Sequence, residues 1–150
     1  MRMLLATDGS EFSEAAAHEV ARLGLPPDTE VCVVSVAEVP HQPAATGPYP
    51  VPLNLSELEA AVRERARTAV ERTRAILQGG TRGDQLRIIT KVLSGSPKQA
   101  LLEEAEGFDP DLIVVGACGH GRFERLFIGS VAQAVAMHAK CSVQITRRRE

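Results

Sequence analysis

Gly116, Gly119, Gly121, Gly129 and Ser130 are the residues whose types and spacing point most directly to chemistry. They punctuate the stretch LIVVGACGHGRFERLFIGSVAQAVAMHAKCSVQI, which runs from Leu112 to Ile145. Glycine reaches φ > 0 and lets a ligand approach the backbone closely. A helix start presents N–H groups with no intrahelical partner, at the positive end of the helix dipole. Together these features attract phosphate. The flanks say what must position the loop. Leu112–Val115 is a short apolar, β-branched run of the buried-strand kind. The Ala- and Val-rich run after Ser130 is helical, and Ser142–Thr146 (SVQIT) is a final strand.

Related phosphate motifs fail on particular residues. Gly116-x4-Gly121 is followed by Arg122-Phe123, where a Walker A loop needs Lys-Ser/Thr. Gly119-x-Gly121-x-x-Glu124 lacks the last small residue of the dinucleotide fingerprint. No Gly-x-Ser-x-Gly nucleophile elbow occurs. What remains is Gly116-x2-Gly119-x9-Gly129-Ser130. It resembles the nucleotide-binding signature of the universal stress protein family, in its ATP-binding branch. The plainer alternative is that these glycines only turn the chain between packed elements.

The rest of the chain alternates strand and helix. Arg2–Ala6 is an apolar strand that ends in Thr7-Asp8-Gly9-Ser10. Asp8 or Ser10 caps the next helix, Glu11 and Glu14 suit its first turn, and Phe12, Ala16, Val20 and Leu23 give its apolar face. Glu30–Val36 is near-continuously apolar, as a parallel strand buried on both faces would be. The segment 37–52 holds five prolines and excludes regular helix. It reads as a surface loop or a lid, with His41 and Tyr49 its only large polar or aromatic residues. Leu53–Gln78 is an amphipathic helix with Leu55, Leu58, Val62, Ala66, Ala69, Val70, Thr73, Ile76 and Leu77 toward the core, and Glu59 and Arg63 as an i,i+4 pair. Gln85–Leu93 is a third strand. Ser96, Pro97 and Gln99 form a capping-box start to the following helix.

Composition narrows the function classes. A chain of 150 residues is one domain, 1–150, large enough to fold without a metal or disulfide staple. A formal charge of −2 gives no general pull toward nucleic acid or anionic membrane. The basic residues of 63–74 alternate with Glu64 and Glu71, which reads as a solvated helix face. Cys32, Cys118 and Cys141 form no metal-binding or redox pattern. The absence of a signal peptide and of a long apolar run gives the expectation of a reduced, cytoplasmic setting.

These elements imply an α/β class with a parallel, doubly wound sheet. The family resemblance, which spans the whole chain, implies five strands in the order 3-2-1-4-5 with helices on both faces. The ligand crevice then lies at the carboxyl ends of strands 1 and 4. The resemblance also implies the site. Asp8, in an Asp-x-Ser setting, contacts the nucleoside beside the backbone of Ala6 and Thr7. The Val36 backbone meets the adenine edge, with Ser35 standing where relatives often have His. Val115 and Gly116 lie near the ribose. Gly119, His120, Gly121, Gly129, Ser130 and Val131 surround the phosphates, with Arg122 and Arg125 as possible added charge.

The expected ligand is therefore ATP or another adenine nucleotide, with Mg²⁺ accompanying it. The expected role is a sensor or switch in a stress response, with at most slow ATP hydrolysis, because no P-loop Lys or second acidic residue is placed by motif. No catalytic or metal-ligating residue is assigned, and His18 and His138 receive no role. The alternatives are a nucleotide-independent, dimeric protein-interaction module and a weak nucleotide hydrolase. The resemblance further implies a homodimer through the C-terminal edge strand and an unidentified protein partner, with no nucleic acid and no membrane.

Overall fold

Two faces of one sheet explain the apolar strand residues. The computed structural model describes residues 1–39, 54–118 and 128–147. Its strands are β1 (Arg2–Ala6), β2 (Glu30–Ala37), β3 (Arg87–Ser94), β4 (Leu112–Gly116) and β5 (Ser142–Thr146). All pair in parallel, in the order β3-β2-β1-β4-β5. The expected α/β class and strand order are what the structure has. The central register sets Leu5 opposite Val33 on one side and Val114 on the other.

Side chains alternate across a strand, so the sheet feeds two cores. Met3, Leu5, Val31, Val33 and Val114 point into one, against α1 (Glu11–Arg22) and α2 (Leu55–Gln78). Leu4, Cys32, Val34, Ile113 and Val115 point into the other, against α3 (Pro97–Phe108) and α4 (Ser130–His138). Leu4, Leu5, Val33 and Val114 are completely buried. Full burial of such a side chain contributes about 1.5–3 kcal/mol. That is why β1, β2 and β4 are apolar almost throughout.

Several local expectations need correction. The run Gln85–Leu93 is not one strand: Gly83–Gln85 forms a 3-10 turn and β3 begins at Arg87. Helix α2 starts at Leu55, not Leu53, because the Asn54 side chain accepts the Glu57 N–H and caps it. Its first turns are not core: Leu55 is 54% exposed, and full burial begins at Ala66. Arg63 donates to the Ser94 hydroxyl at 3.3 Å, and no Glu59–Arg63 pair forms among the described residues. Ser96 stands at the start of α3 but makes no side-chain cap, while Gln99 bonds to Glu103 on its own helix. The capping box is therefore absent. Gly80 is required by packing, since a Cβ there would lie 2.6 Å from the Ala21 carbonyl oxygen.

Among the described residues no helix is long and apolar enough to cross a membrane.

Candidate functional site

β1 and β4 are neighbours, and their connections leave toward opposite sides of the sheet, β1 to β2 and β4 to β5. A crevice opens at their carboxyl ends for that reason. It holds a cavity of about 740 Å³, within the range that takes a small-molecule ligand.

The β1 wall is a chain of short hydrogen bonds. Thr7 N–H donates to the Val34 carbonyl at 2.8 Å and so ties the end of β1 to β2. The Thr7 hydroxyl donates to Ser13 Oγ at 3.2 Å and accepts the Gly9 N–H at 3.3 Å. Gly9 has φ +75°, the left-handed region that favours glycine, and a Cβ there would stand 3.4 Å from Ala69 of α2. Of the two cap candidates, Ser10 is the one used: its Oγ accepts the Ser13 N–H at 3.3 Å. Asp8 instead accepts the Ser10 N–H at 2.9 Å, an Asx turn that leaves the residue exposed at the cavity.

The opposite wall is built by β4 and α4. Ala117 N–H donates to the Thr146 carbonyl of β5 at 2.8 Å, and the Ala117 carbonyl accepts the Gly129 N–H at 2.7 Å. Gly129 is the N-cap of α4, in extended conformation, and among the described residues no side chain caps this helix. Its carbonyl accepts the Gln133 N–H at 2.9 Å. The N–H groups of the helix's first turn, Ser130, Val131 and Ala132, have no intrahelical partners, and these three residues line the cavity. This changes one expectation. The Gly129 N–H is already spent on Ala117, so an anion here would be met by Ser130, Val131 and Ala132, with the Ser130 hydroxyl beside them.

Ala6, Thr7, Asp8, Val36, Val115, Gly116, Gly129, Ser130 and Val131, all expected from sequence, line this one cavity. Gly119, His120 and Gly121 lie outside the described residues, as do Arg122, Arg125, His41 and Tyr49. The cavity has further walls that sequence reasoning missed: Glu38 after β2, Val62, Arg65 and Ala66 of α2, Pro97 and Leu101 of α3, and Cys118, a buried residue beside the glycines. Among the described lining residues the charged ones are Asp8, Glu38 and Arg65. No group of three metal-ligating side chains occurs among the described residues. His18 and His138 are exposed on helices away from this cavity.

The chemistry on offer is recognition. The lining combines the first turn of α4 and the Ser130 hydroxyl, apolar Val115, Val34 and Leu101, and the charged Asp8, Glu38 and Arg65. An elongated anion with a flat apolar portion matches that distribution.

Known proteins agree with this fold. The model of the universal stress protein family matches residues 1–147. A universal stress protein of Thermus aquaticus is 35% identical over 150 residues, covering 97% of each chain. Among solved structures, the universal stress protein UspA from Lactobacillus plantarum superposes with TM-score 0.73 at 24% identity, covering 98% of this chain and 97% of its own. A family protein of Arabidopsis thaliana, solved with AMP bound, gives TM-score 0.63 at 16% identity, covering 99% of this chain and 92% of its own.

Proposed function

The chain belongs to the universal stress protein family, and from that premise we propose that its crevice binds an adenine nucleotide, ATP foremost, and that the protein acts as a nucleotide-dependent sensor or switch. The observation that carries the reading is the start of α4. Its first turn, which no side chain among the described residues caps, lines a cavity large enough for a nucleotide. An uncapped helix N-terminus favours a bound anion through its N–H groups and its dipole. AMP bound to the Arabidopsis relative supports adenine as the base.

In this reading the phosphates take N–H bonds from Ser130, Val131 and Ala132, and the Ser130 hydroxyl assists. Gly129 contributes by having no side chain where the phosphates pass. Asp8 and the backbone of Ala6 and Thr7 meet the ribose beside Val115 and Gly116. The Val36 backbone meets the base. Gly119, His120 and Gly121 belong to the same proposal through the family motif. Mg²⁺ would arrive with the nucleotide, since this ion commonly takes one or two carboxylates and completes its shell with phosphate and water.

Rapid phosphoryl transfer needs charge neutralisation at the γ-phosphate and a positioned water, and the glycine loop carries no P-loop lysine. Binding with slow or no turnover is accordingly the proposed activity. A cytoplasmic setting and a homodimer through β5, which forms one edge of the sheet, complete the proposal.

Calorimetric titration with ATP tests the reading. The native chain should bind one ATP, and Gly129→Val should abolish binding while its circular dichroism stays native. Gly129 has φ −61° and ψ 153°, values valine adopts without strain. Equal ATP affinity in a folded Gly129→Val chain would remove the cradle assignment.

A further inference from the structure

Arg65 stands where an arginine needs explaining. The residues that turn α2 toward the sheet are Val62, Ala66, Ala69 and Thr73, spaced by three and four. Arg65 precedes Ala66 on the border of that stripe and lines the cavity. Two other arginines of the helix have protein partners: Arg63 bonds Ser94, and Arg72 bonds Glu14 at 2.7 Å. Arg65, Arg67 and Arg74 make no hydrogen bond or ion pair among the described residues, and of these three Arg65 is the one that lines the cavity. Glu38, which follows the end of β2, lines the same cavity and likewise has no hydrogen bond or ion pair among the described residues.

Their position in the sheet says which end of the cavity they serve. β2 lies on one side of β1, and β4 and β5 lie on the other. The start of α4 belongs to the β4 side, and Glu38 and Arg65 to the β2 side. Helix α2 also packs on the face opposite α4. A ligand whose phosphates meet α4 therefore brings its base toward Glu38 and Arg65.

The pair is chemically matched to a purine. A carboxylate only accepts hydrogen bonds, and a guanidinium only donates. Adenine offers an exocyclic amine as donor and ring nitrogens as acceptors. Arginine also stacks on flat rings through its planar, delocalised charge. Lysine would supply charge without that plane.

We infer that Glu38 and Arg65 are base-selecting residues of the nucleotide site: the Glu38 carboxylate accepts from the adenine amine, and the Arg65 guanidinium stacks on the ring or donates to its nitrogens. This rests on the nucleotide reading above and goes beyond it, because the backbone of Val36 alone would discriminate less strongly between bases.

The experiment compares ATP, purine riboside triphosphate and tripolyphosphate by calorimetry. Purine riboside triphosphate differs from ATP by lacking the amine, and tripolyphosphate has no base. The native chain should prefer ATP over purine riboside triphosphate by about 10- to 100-fold, the range of one hydrogen bond to a charged group. In Glu38→Ala that ratio should fall several-fold, to the smaller preference that the Val36 backbone alone gives. Arg65→Ala should weaken both nucleotides by about tenfold or more, with Arg65→Lys recovering little of the loss, and leave tripolyphosphate unchanged. An unaltered ATP preference in Glu38→Ala, or weaker tripolyphosphate binding in Arg65→Ala, overturns the inference while the nucleotide site stands. A native chain that binds none of the three probes overturns both.

Discussion

Gly116, the last residue of β4, lies against the backbone of Phe12 in the first turn of α1: a Cβ there would come within 2.8 Å of the Phe12 carbonyl carbon and 2.9 Å of the Ser13 nitrogen. The two walls of the crevice are thus in direct main-chain contact. The floor of the cavity is set by that approach, because backbone atoms, unlike a flexible side chain, have little room to yield. Gly116→Ala is expected to destabilise the fold by about 1–3 kcal/mol, as overpacking does. Urea unfolding of the variant should show a lower midpoint with the same slope. An unchanged midpoint would mean that the strand and helix can separate freely here.

Ser10 holds the same wall from the helix side. Its hydroxyl caps α1, and its backbone N–H fixes Asp8. Ser10→Ala removes the cap but keeps the N–H, so the expected loss is about 1 kcal/mol, or about 2–4 °C in thermal midpoint for a chain of this size. Ser10→Asn, which can cap equally well, should restore most of it. A larger loss in the asparagine variant than in alanine would contradict the capping role.

Asp8 should act on the nucleoside and not on the phosphates. Asp8→Ala is expected to weaken ATP by about 1.5–3 kcal/mol, the contribution of a hydrogen bond to a charged group. Binding of inorganic tripolyphosphate should be unaffected or slightly improved, since a negative charge is removed. Equal loss for both ligands in parallel titrations would move Asp8 to the phosphate end.

Cys32 gives a pH dependence with a definite sign. Burial of the thiol among Leu4, Val34 and Ile113 pushes its pKa from 9.0 up to about 11, with nearby Glu104 adding to the effect. The unfolded chain therefore releases this proton at lower pH than the native one. Stability is indifferent to this group below pH about 9, falls as pH rises from about 9 to about 11, and levels beyond. The loss is on the order of 2–3 kcal/mol at 1.36 kcal/mol per pKa unit. Cys32→Ala should be less stable at neutral pH by a constant cavity cost, yet its stability should decline less over that alkaline window. Parallel declines in the two chains would rule the thiol out as the cause.

Local patterns made the fold class legible and left its details to long-range contacts. The apolar runs of β1, β2 and β4 are readable because both of their faces are buried, so composition alone marks them. β3 is an edge strand with alternate exposure, and the turn of Gly83–Gln85 that precedes its start at Arg87 carries no mark in the apolar pattern. The capping box at Ser96 had the right residues, but Gln99 found a nearer partner in Glu103. Of the motif's glycines, Gly116 and Gly129 line the cavity, whereas the fate of the Gly129 N–H depends on the chain returning to Ala117, which no spacing rule encodes. Arg65 was hidden for a different reason. It sits in a run of alternating charges and is itself exposed, so only the placement of the helix against the sheet shows that it borders the cavity.

The nucleotide content of freshly purified protein tests the central claim most directly. The chain has no Trp and one Tyr, so bound adenine would dominate its near-ultraviolet absorbance. Denaturing the protein and separating the released small molecules identifies and counts the ligand. The account predicts close to one adenine nucleotide per native chain, or its uptake on addition of ATP, and none with Gly129→Val. A native chain that is empty and takes up no added ATP would contradict the account and leave the glycines of 116–129 as a turn between packed elements.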